Sequence, residues 1–209
     1  MSIPYEAGGR TRQKQRTREA LVAAARELVA AGVTPTVEQA AAAADVSRPT
    51  AYRYFPNQRA LLAAAHPETA TSSLLPADPP ADVADRLAAV LDAFTALIVE
   101  TEDQQRTMLR LSLEADPAER AALPLRQGRA IAWIEEALAP LRDRFPQRTV
   151  HQLAIAIRSA VGIEALSWLT DVAELPRDEA VRLMKWSAQS LLNATLTGSP
   201  PPVQRQPRR

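Results

Sequence analysis

Residues 36–62 read TVEQAAAAADVSRPTAYRYFPNQRALL, and the reading of this stretch decides the fold. Thr36 is a favourable N-cap with Gln39 three positions on, so Thr36-Val37-Glu38-Gln39 has the form of a capping box that opens a helix. The run Ala40 to Ala44 favours helix strongly and is small enough to pack closely on its neighbours. Asp45-Val46-Ser47 interrupts it. Ser47 caps a second helix, and Pro49 falls in its first turn, where a missing N–H costs nothing. Val46, the single apolar residue of the turn, plugs the joint between the helices, while Ala51 and Phe55, four apart, face inward.

Arg48, Pro49, Thr50, Tyr52, Arg53 and Tyr54 are left on the outer face and leading end. A helix that reads a duplex meets base edges mainly with its N-terminal residues. Arg48 has the fork to bind guanine bidentately, and Pro49 or the Thr50 methyl suits a thymine methyl. The hydroxyls of Ser47, Thr50, Tyr52 and Tyr54 suit phosphate oxygens, which set register rather than sequence, and Arg53 suits either purpose. The alternative is a capped helix pair whose aromatics are ordinary core. Coincident spacing, caps and exposed basic residues favour double-stranded DNA as the partner.

The segment Ser47 to Pro56, SRPTAYRYFP, followed by Ala60-Leu61-Leu62, resembles the DNA-binding domain of the TetR family of one-component bacterial transcriptional regulators. A preceding helix ending at Gly32 and the Thr36-capped helix complete the pattern over roughly residues 12–65. The resemblance implies an all-α protein, with an N-terminal three-helix DNA-binding domain carrying a helix-turn-helix and a larger C-terminal helical domain for ligand binding and dimerisation. It implies a cytoplasmic repressor released from its operator by a small-molecule effector. It also implies a homodimer, joined through the last two helices, that reads a pseudo-palindromic operator. On that basis the DNA contacts are Thr36, Ser47, Arg48, Pro49, Thr50, Tyr52, Arg53, Tyr54 and Gln58. Two positions depart from the family pattern. Asp45 stands where the turn usually carries glycine, a substitution Asp tolerates through its access to unusual backbone angles. Gln58 replaces a lysine that grips phosphate. That replacement is the one feature that leans toward an alternative, a helical protein-interaction module that kept the fold without specific operator binding.

Composition agrees with the helical reading. Alanine and leucine dominate the 209 residues, and cysteine is absent, which removes disulfides and thiolate chemistry and fits a reducing compartment. No uninterrupted run approaches the ~18 apolar residues of a membrane span. The net charge of +1 conceals an asymmetry: residues 1–60 hold nine basic and five acidic side chains, and the rest of the chain is net acidic. Positive charge is therefore concentrated where DNA contact is expected. Arg10, Arg12, Lys14, Arg16 and Arg18 form a basic leader, suited to nonspecific attraction to phosphate and read as a solvated tail in the free protein.

The expected domains are a disordered tail over 1–9, the DNA-binding domain over 10–66, a linker over 67–80, the helical ligand-binding and dimerisation domain over 81–198, and a disordered tail over 199–209. Helix one runs from about Thr11 or Arg16 to Ala31, and a fourth helix, capped by Asn57, ends near His66 ahead of Pro67. Beyond Ala81, helical spacing marks segments through about Thr101, on to Asp116-Pro117, and from Leu125 to Leu138, with Arg142 to Arg148 a polar connection. Two long helices close the chain, Thr149 to Val172 and Arg177 to Thr197. The last carries two apolar stripes, one with Met184 and Ala188 and one with Leu183 and Trp186, as expected of a helix that packs on its own subunit and on a partner.

Candidate effector contacts are Phe94, Met108, Trp133 and Trp168 as walls, with Arg110, Glu114, His151 and Glu164 as polar groups set among apolar ones. Each is also compatible with plain packing or a surface ion pair. Nothing points to catalysis: the two histidines form no metal-ligand spacing, and there is no phosphate-binding glycine loop or nucleophile elbow. No cofactor, metal or catalytic residue is expected.

Overall fold

A computed structural model describes residues 5–66, 71–114 and 128–202, with side chains from Arg12 onward except those of Leu111 and Glu114. Its regular structure is helical, with no strand among the described residues. Two compact units form, one gathering the described residues of 1–70 and 110–127, the other those of 71–109 and 128–209.

The first unit contains α1 (Tyr5–Ala30), α2 (Val37–Ala43), α3 (Arg48–Tyr54) and α4 (Gln58–Ala65). α1 starts earlier than expected. The basic leader is helical, as are residues 5–9 of the anticipated tail, while residues 1–4 lie outside the described residues. Gly32 ends α1 at φ 77°, with Val33 N–H donating to the Leu28 carbonyl at 2.9 Å. This is the left-handed stop that glycine permits without a Cβ clash. Leu21, Val22 and Ala25 of α1, Val37, Ala40 and Ala41 of α2, Ala51 and Phe55, and Leu61 and Ala65 of α4 form the core. Alanine supplies much of this surface, which lets short helices approach closely.

The second unit contains α5 (Val83–Glu100), the start of α6 (Glu102–Glu114), α7 (Arg129–Ala137), α8 (Gln147–Ala160), α9 (Ile163–Asp171) and α10 (Arg177–Leu196). Its core is larger and richer in big side chains, including Leu91, Phe94 and Ile98 of α5, Trp133 and Ile134 of α7, Leu153 and Ile157 of α8, Leu166 of α9, and Met184 and Leu192 of α10.

Several boundaries differ from the sequence reading. Within the anticipated linker, Leu74 and Leu75 pack on this core and the Ser73 hydroxyl donates to Glu136 at 2.7 Å, so apolar burial outweighs the Pro/Ser composition. Residues 67–70, and the helix ends placed near Asp116-Pro117 and Leu125, lie outside the described residues. The polar connection is partly a 3₁₀ helix, Ala139–Asp143, with Leu141 buried and Phe145 packed on the core.

The anticipated single helix from Thr149 to Val172 is two helices. Val161 is extended and buried, and Gly162 begins α9. A Cβ on Gly162 would lie 2.1 Å from Arg158 Nη1, so the break exists where an arginine folds across bare backbone. Arg158 donates from that position to the Val161 carbonyl and to Glu164. Within residues 147–171 an 18-residue window reaches a mean hydropathy of 1.4, enough by length and composition to cross a membrane. The broken backbone and the burial of Leu153, Ile157, Val161 and Leu166 account for those apolar side chains within the second unit instead.

The expected C-terminal tail begins outside regular structure at Ser199, whose N–H donates to the Ala194 carbonyl at 2.8 Å; residues 203–209 lie outside the described residues.

Candidate nucleic-acid interface

The turn between α2 and α3 sets the geometry of this surface. α2 opens with the full capping box: the Thr36 side chain accepts from the Gln39 N–H at 3.2 Å, and the Gln39 side chain accepts from the Thr36 N–H at 2.8 Å. It closes with Asp45 at φ 52°, where the Val46 N–H donates to the Ala41 carbonyl at 2.9 Å and Asp45 N–H to Ala42 at 3.3 Å. This is the left-handed helix stop that glycine usually supplies, here filled by a residue that reaches the same angles at some cost. Val46 is half-buried against the core of the unit, plugging the joint.

α3 follows with Ser47 as N-cap and Pro49 in its first turn. The Ser47 hydroxyl does not cap the helix backbone as the sequence implied; it donates to Thr50 Oγ1 at 2.9 Å. Ala51 and Phe55 are buried, and the Arg18 guanidinium covers the Phe55 ring at 5.5 Å. The basic leader thus has one member engaged in packing. Arg48, Pro49, Tyr52 and Arg53 are exposed, Thr50 and Tyr54 half-buried. Arg53 lies over the Tyr54 ring at 5.6 Å. The structure therefore brings Thr36, Ser47, Arg48, Pro49, Thr50, Tyr52, Arg53 and Tyr54 together on and around α3.

Two of the expected phosphate contacts are already engaged. Gln58 Nε2 donates to the Thr34 carbonyl at 3.2 Å and the Pro35 carbonyl at 3.1 Å. Both amide protons are committed, so this residue pins the loop that leads into α2 in place of the cation the family pattern carries. The Tyr52 hydroxyl donates to Glu38 Oε1 at 2.5 Å, linking α3 to the first turn of α2. That hydrogen bond holds the Glu38 carboxyl below its ordinary range, with smaller downward contributions from Thr36 and the Arg48 charge, and pushes the Tyr52 phenol up. Glu38 was not among the residues singled out from sequence. The available signal was a carboxylate beside the cap of a helix that precedes a basic one.

The anticipated effector residues lie in several different surroundings. Phe94 and Trp133 are buried and meet edge to face, centroids 5.9 Å apart, and Arg158 lies 5.9 Å over the Phe94 ring. Glu164 pairs with that arginine at 3.2 Å. Met108 is buried, Arg110 is exposed and groups with the first unit, and His151 pairs with Glu135 at 2.5 Å on the surface.

Trp168 is 59% exposed and lines an open apolar groove of about 300 Å³ with Ala160, Ala165, Leu169, Leu183, Met184 and Ser187. Val172 and Trp186, 67% and 65% exposed, extend the apolar character of α9 and α10.

Where α9 gives way to α10, Glu102 accepts from Arg106 at 2.8 Å and Arg177 at 2.7 Å, and Arg106 also grips Asp171 at 2.6 Å. Burial raises the Glu102 carboxyl, but the two guanidinium hydrogen bonds outweigh it, and the net effect is a lowered pKa. Sequence reading missed this clasp because its members lie 75 positions apart in the case of Glu102 and Arg177.

Residues 20–65 match the family model described as bacterial regulatory proteins, tetR family. No curated protein matches the chain.

Proposed function

We propose that this DNA-binding transcriptional regulator of the tetR family works as a two-fold homodimer that holds a pseudo-palindromic operator and releases it when a small molecule binds the second unit. The observation that carries the reading is the α2–turn–α3 surface, where a capped helix pair exposes Arg48 and Arg53 around a proline-led helix. Arg48, at the leading end of α3, reads a base edge. Thr36, Ser47, Thr50, Arg53 and Tyr54 hold the backbone, and Pro49 offers an apolar contact to a thymine methyl. Gln58 supports these contacts by fixing the loop before α2.

The apolar face of α9 and α10 supports self-association. Trp168, Val172, Leu183 and Trp186 expose large apolar surface on the two helices whose opposite sides fill the core. Aromatic residues of this kind dominate protein interfaces. A symmetric pair suits a pseudo-palindromic operator, because half-sites of an inverted repeat lie one helical turn, ~34–36 Å, or a multiple of it apart. The effector reading rests on the family. Phe94, Trp133, Arg158 and Glu164 are its best-grouped candidates, with Met108, Arg110 and Trp168 remaining from the original set. Regulators of this kind act in the cytoplasm, where the operator is.

Selection from random duplexes tests the central claim. The expected result is an enriched inverted repeat with half-site centres ~10–10.5 base pairs apart or a multiple of it. Failure to enrich any repeat at moderate salt overturns it.

A further inference from the structure

We infer that Tyr52 and Glu38 form a hydrogen-bonded acceptor pair that reads an exocyclic amino group, adenine N6 or cytosine N4, in the operator's major groove. The inference rests on the reading of α3 as the helix that enters that groove.

A phenol has one proton. The Tyr52 proton is donated to Glu38 Oε1 at 2.5 Å, so the hydroxyl presents only lone pairs outward. Glu38 presents carboxylate oxygens, which are acceptors alone while ionised. Its ionised state is favoured first by the Tyr52 hydrogen bond, then by its own backbone N–H in the first turn of α2, and less by the nearby Thr36 hydroxyl and Arg48 charge. The pair therefore shows an acceptor-only edge. Tyr52 is 41% exposed, so the edge is reachable.

A phosphate oxygen is a poor match for such an edge: it too is an acceptor, and its charge repels a carboxylate. Guanine O6 and thymine O4 are acceptors as well. The amino groups of adenine and cytosine are the donors the major groove displays, and a carboxylate accepting from cytosine N4 is a recurrent pairing. Arg48 and Arg53 on the same helix offset the negative charge that the pair brings toward the duplex. The capping box holds the first turn of α2, so Glu38 and through it the Tyr52 ring are fixed before any duplex arrives. Tyr52 thus serves as a specificity residue, and Glu38 as both second acceptor and positioning residue.

The test starts from the operator enriched by the wild-type chain. Each base pair of a half-site is replaced so that a keto oxygen stands where an amino group stood, and binding is titrated at fixed salt. Wild type should lose about 5- to 140-fold at one position per half-site, the equivalent of ~1–3 kcal/mol for a specific base contact. The identity of the enriched base there tells adenine from cytosine.

Tyr52→Phe should lose that preference and keep the others. Glu38→Gln, whose amide offers a donor beside an acceptor, should bind the keto-substituted operator nearly as well as the original. Thermal melts of both variants establish that they are folded. The inference is overturned if folded Tyr52→Phe weakens every operator variant by one common factor, as a phosphate contact would, or if Glu38→Gln leaves the base preference intact. If the wild type enriches no repeat, the regulator reading fails first, a separate outcome.

Discussion

The chain exposes two surfaces that differ in kind, one on each unit. Around α3 the exposed groups are guanidinium, hydroxyl and phenol, held by caps, a left-handed turn and the Tyr52–Glu38 bond. Along α9 and α10 they are Trp168, Val172, Leu183 and Trp186, with an apolar groove between the helices. If the first surface holds a duplex and the second a further copy of the chain, as proposed, the difference teaches how each would specify its partner. A duplex is charged and carries its information as donors and acceptors at fixed spacing, so its reader needs few side chains in exact places. Another protein surface offers area and shape, so an apolar face needs bulk more than register.

The comparison can be broken most forcefully from beneath. Phe55→Ala should destabilise the first unit by ~3–5 kcal/mol, since the ring is 3% exposed and fills the centre of a small alanine-rich core. Denaturant unfolding followed together with operator binding checks it, and self-association should survive. The reciprocal change is Trp186→Glu, expected to weaken self-association by ~2 kcal/mol or more, as for a central aromatic of an interface. Sedimentation should show monomer, with binding to a full repeat reduced toward that of a single half-site. A variant that stays dimeric would remove α9 and α10 from the interface.

Arg48→Ala sharpens the other side. It should cost ~1–3 kcal/mol on the enriched operator and relax discrimination at one base position, read by titration against operator variants.

A smaller effect concerns the clasp around Glu102. Its carboxyl sits below the ordinary value of 4.5 in the folded protein, so the stability it contributes is present above the unfolded pKa and lost as pH falls through the folded one. Melts should therefore fall as pH drops below about 4.5, and Glu102→Gln should flatten that acid limb. The smallest expected change is a gain: Asp45→Gly should stabilise by up to ~1 kcal/mol, because glycine adopts φ 52° without the strain an L side chain carries.

Much of the first unit was legible in the chain. The capping box at Thr36 and Gln39, the stop at Gly32, the turn at Asp45 and the proline-led start of α3 are local devices, each made by residues a few positions apart. The contents of the reading surface were less legible. Ser47 reads as a helix cap yet bonds Thr50, Gln58 reads as a phosphate donor yet holds Thr34 and Pro35, and Tyr52 reads as a phosphate donor yet gives its proton to Glu38. A hydroxyl or amide has several possible partners, and only three-dimensional proximity selects among them.

The second unit makes the same distinction at larger scale. Helical periodicity located α5 and α10, and the double stripe of α10 anticipated a buried side with Met184 and Ala188 and an exposed one with Leu183 and Trp186. Periodicity could not see the break at Val161 and Gly162, since the apolar spacing runs on through it, where Arg158 lies across the glycine. By itself, then, the sequence determined which segments are helices, how the α2–α3 joint turns and where positive charge gathers, because those follow from interactions within a few residues. Only the tertiary structure decided which polar groups are already bonded, where a continuous apolar run breaks and which anticipated pocket residues meet, because those depend on contacts between segments far apart in the chain.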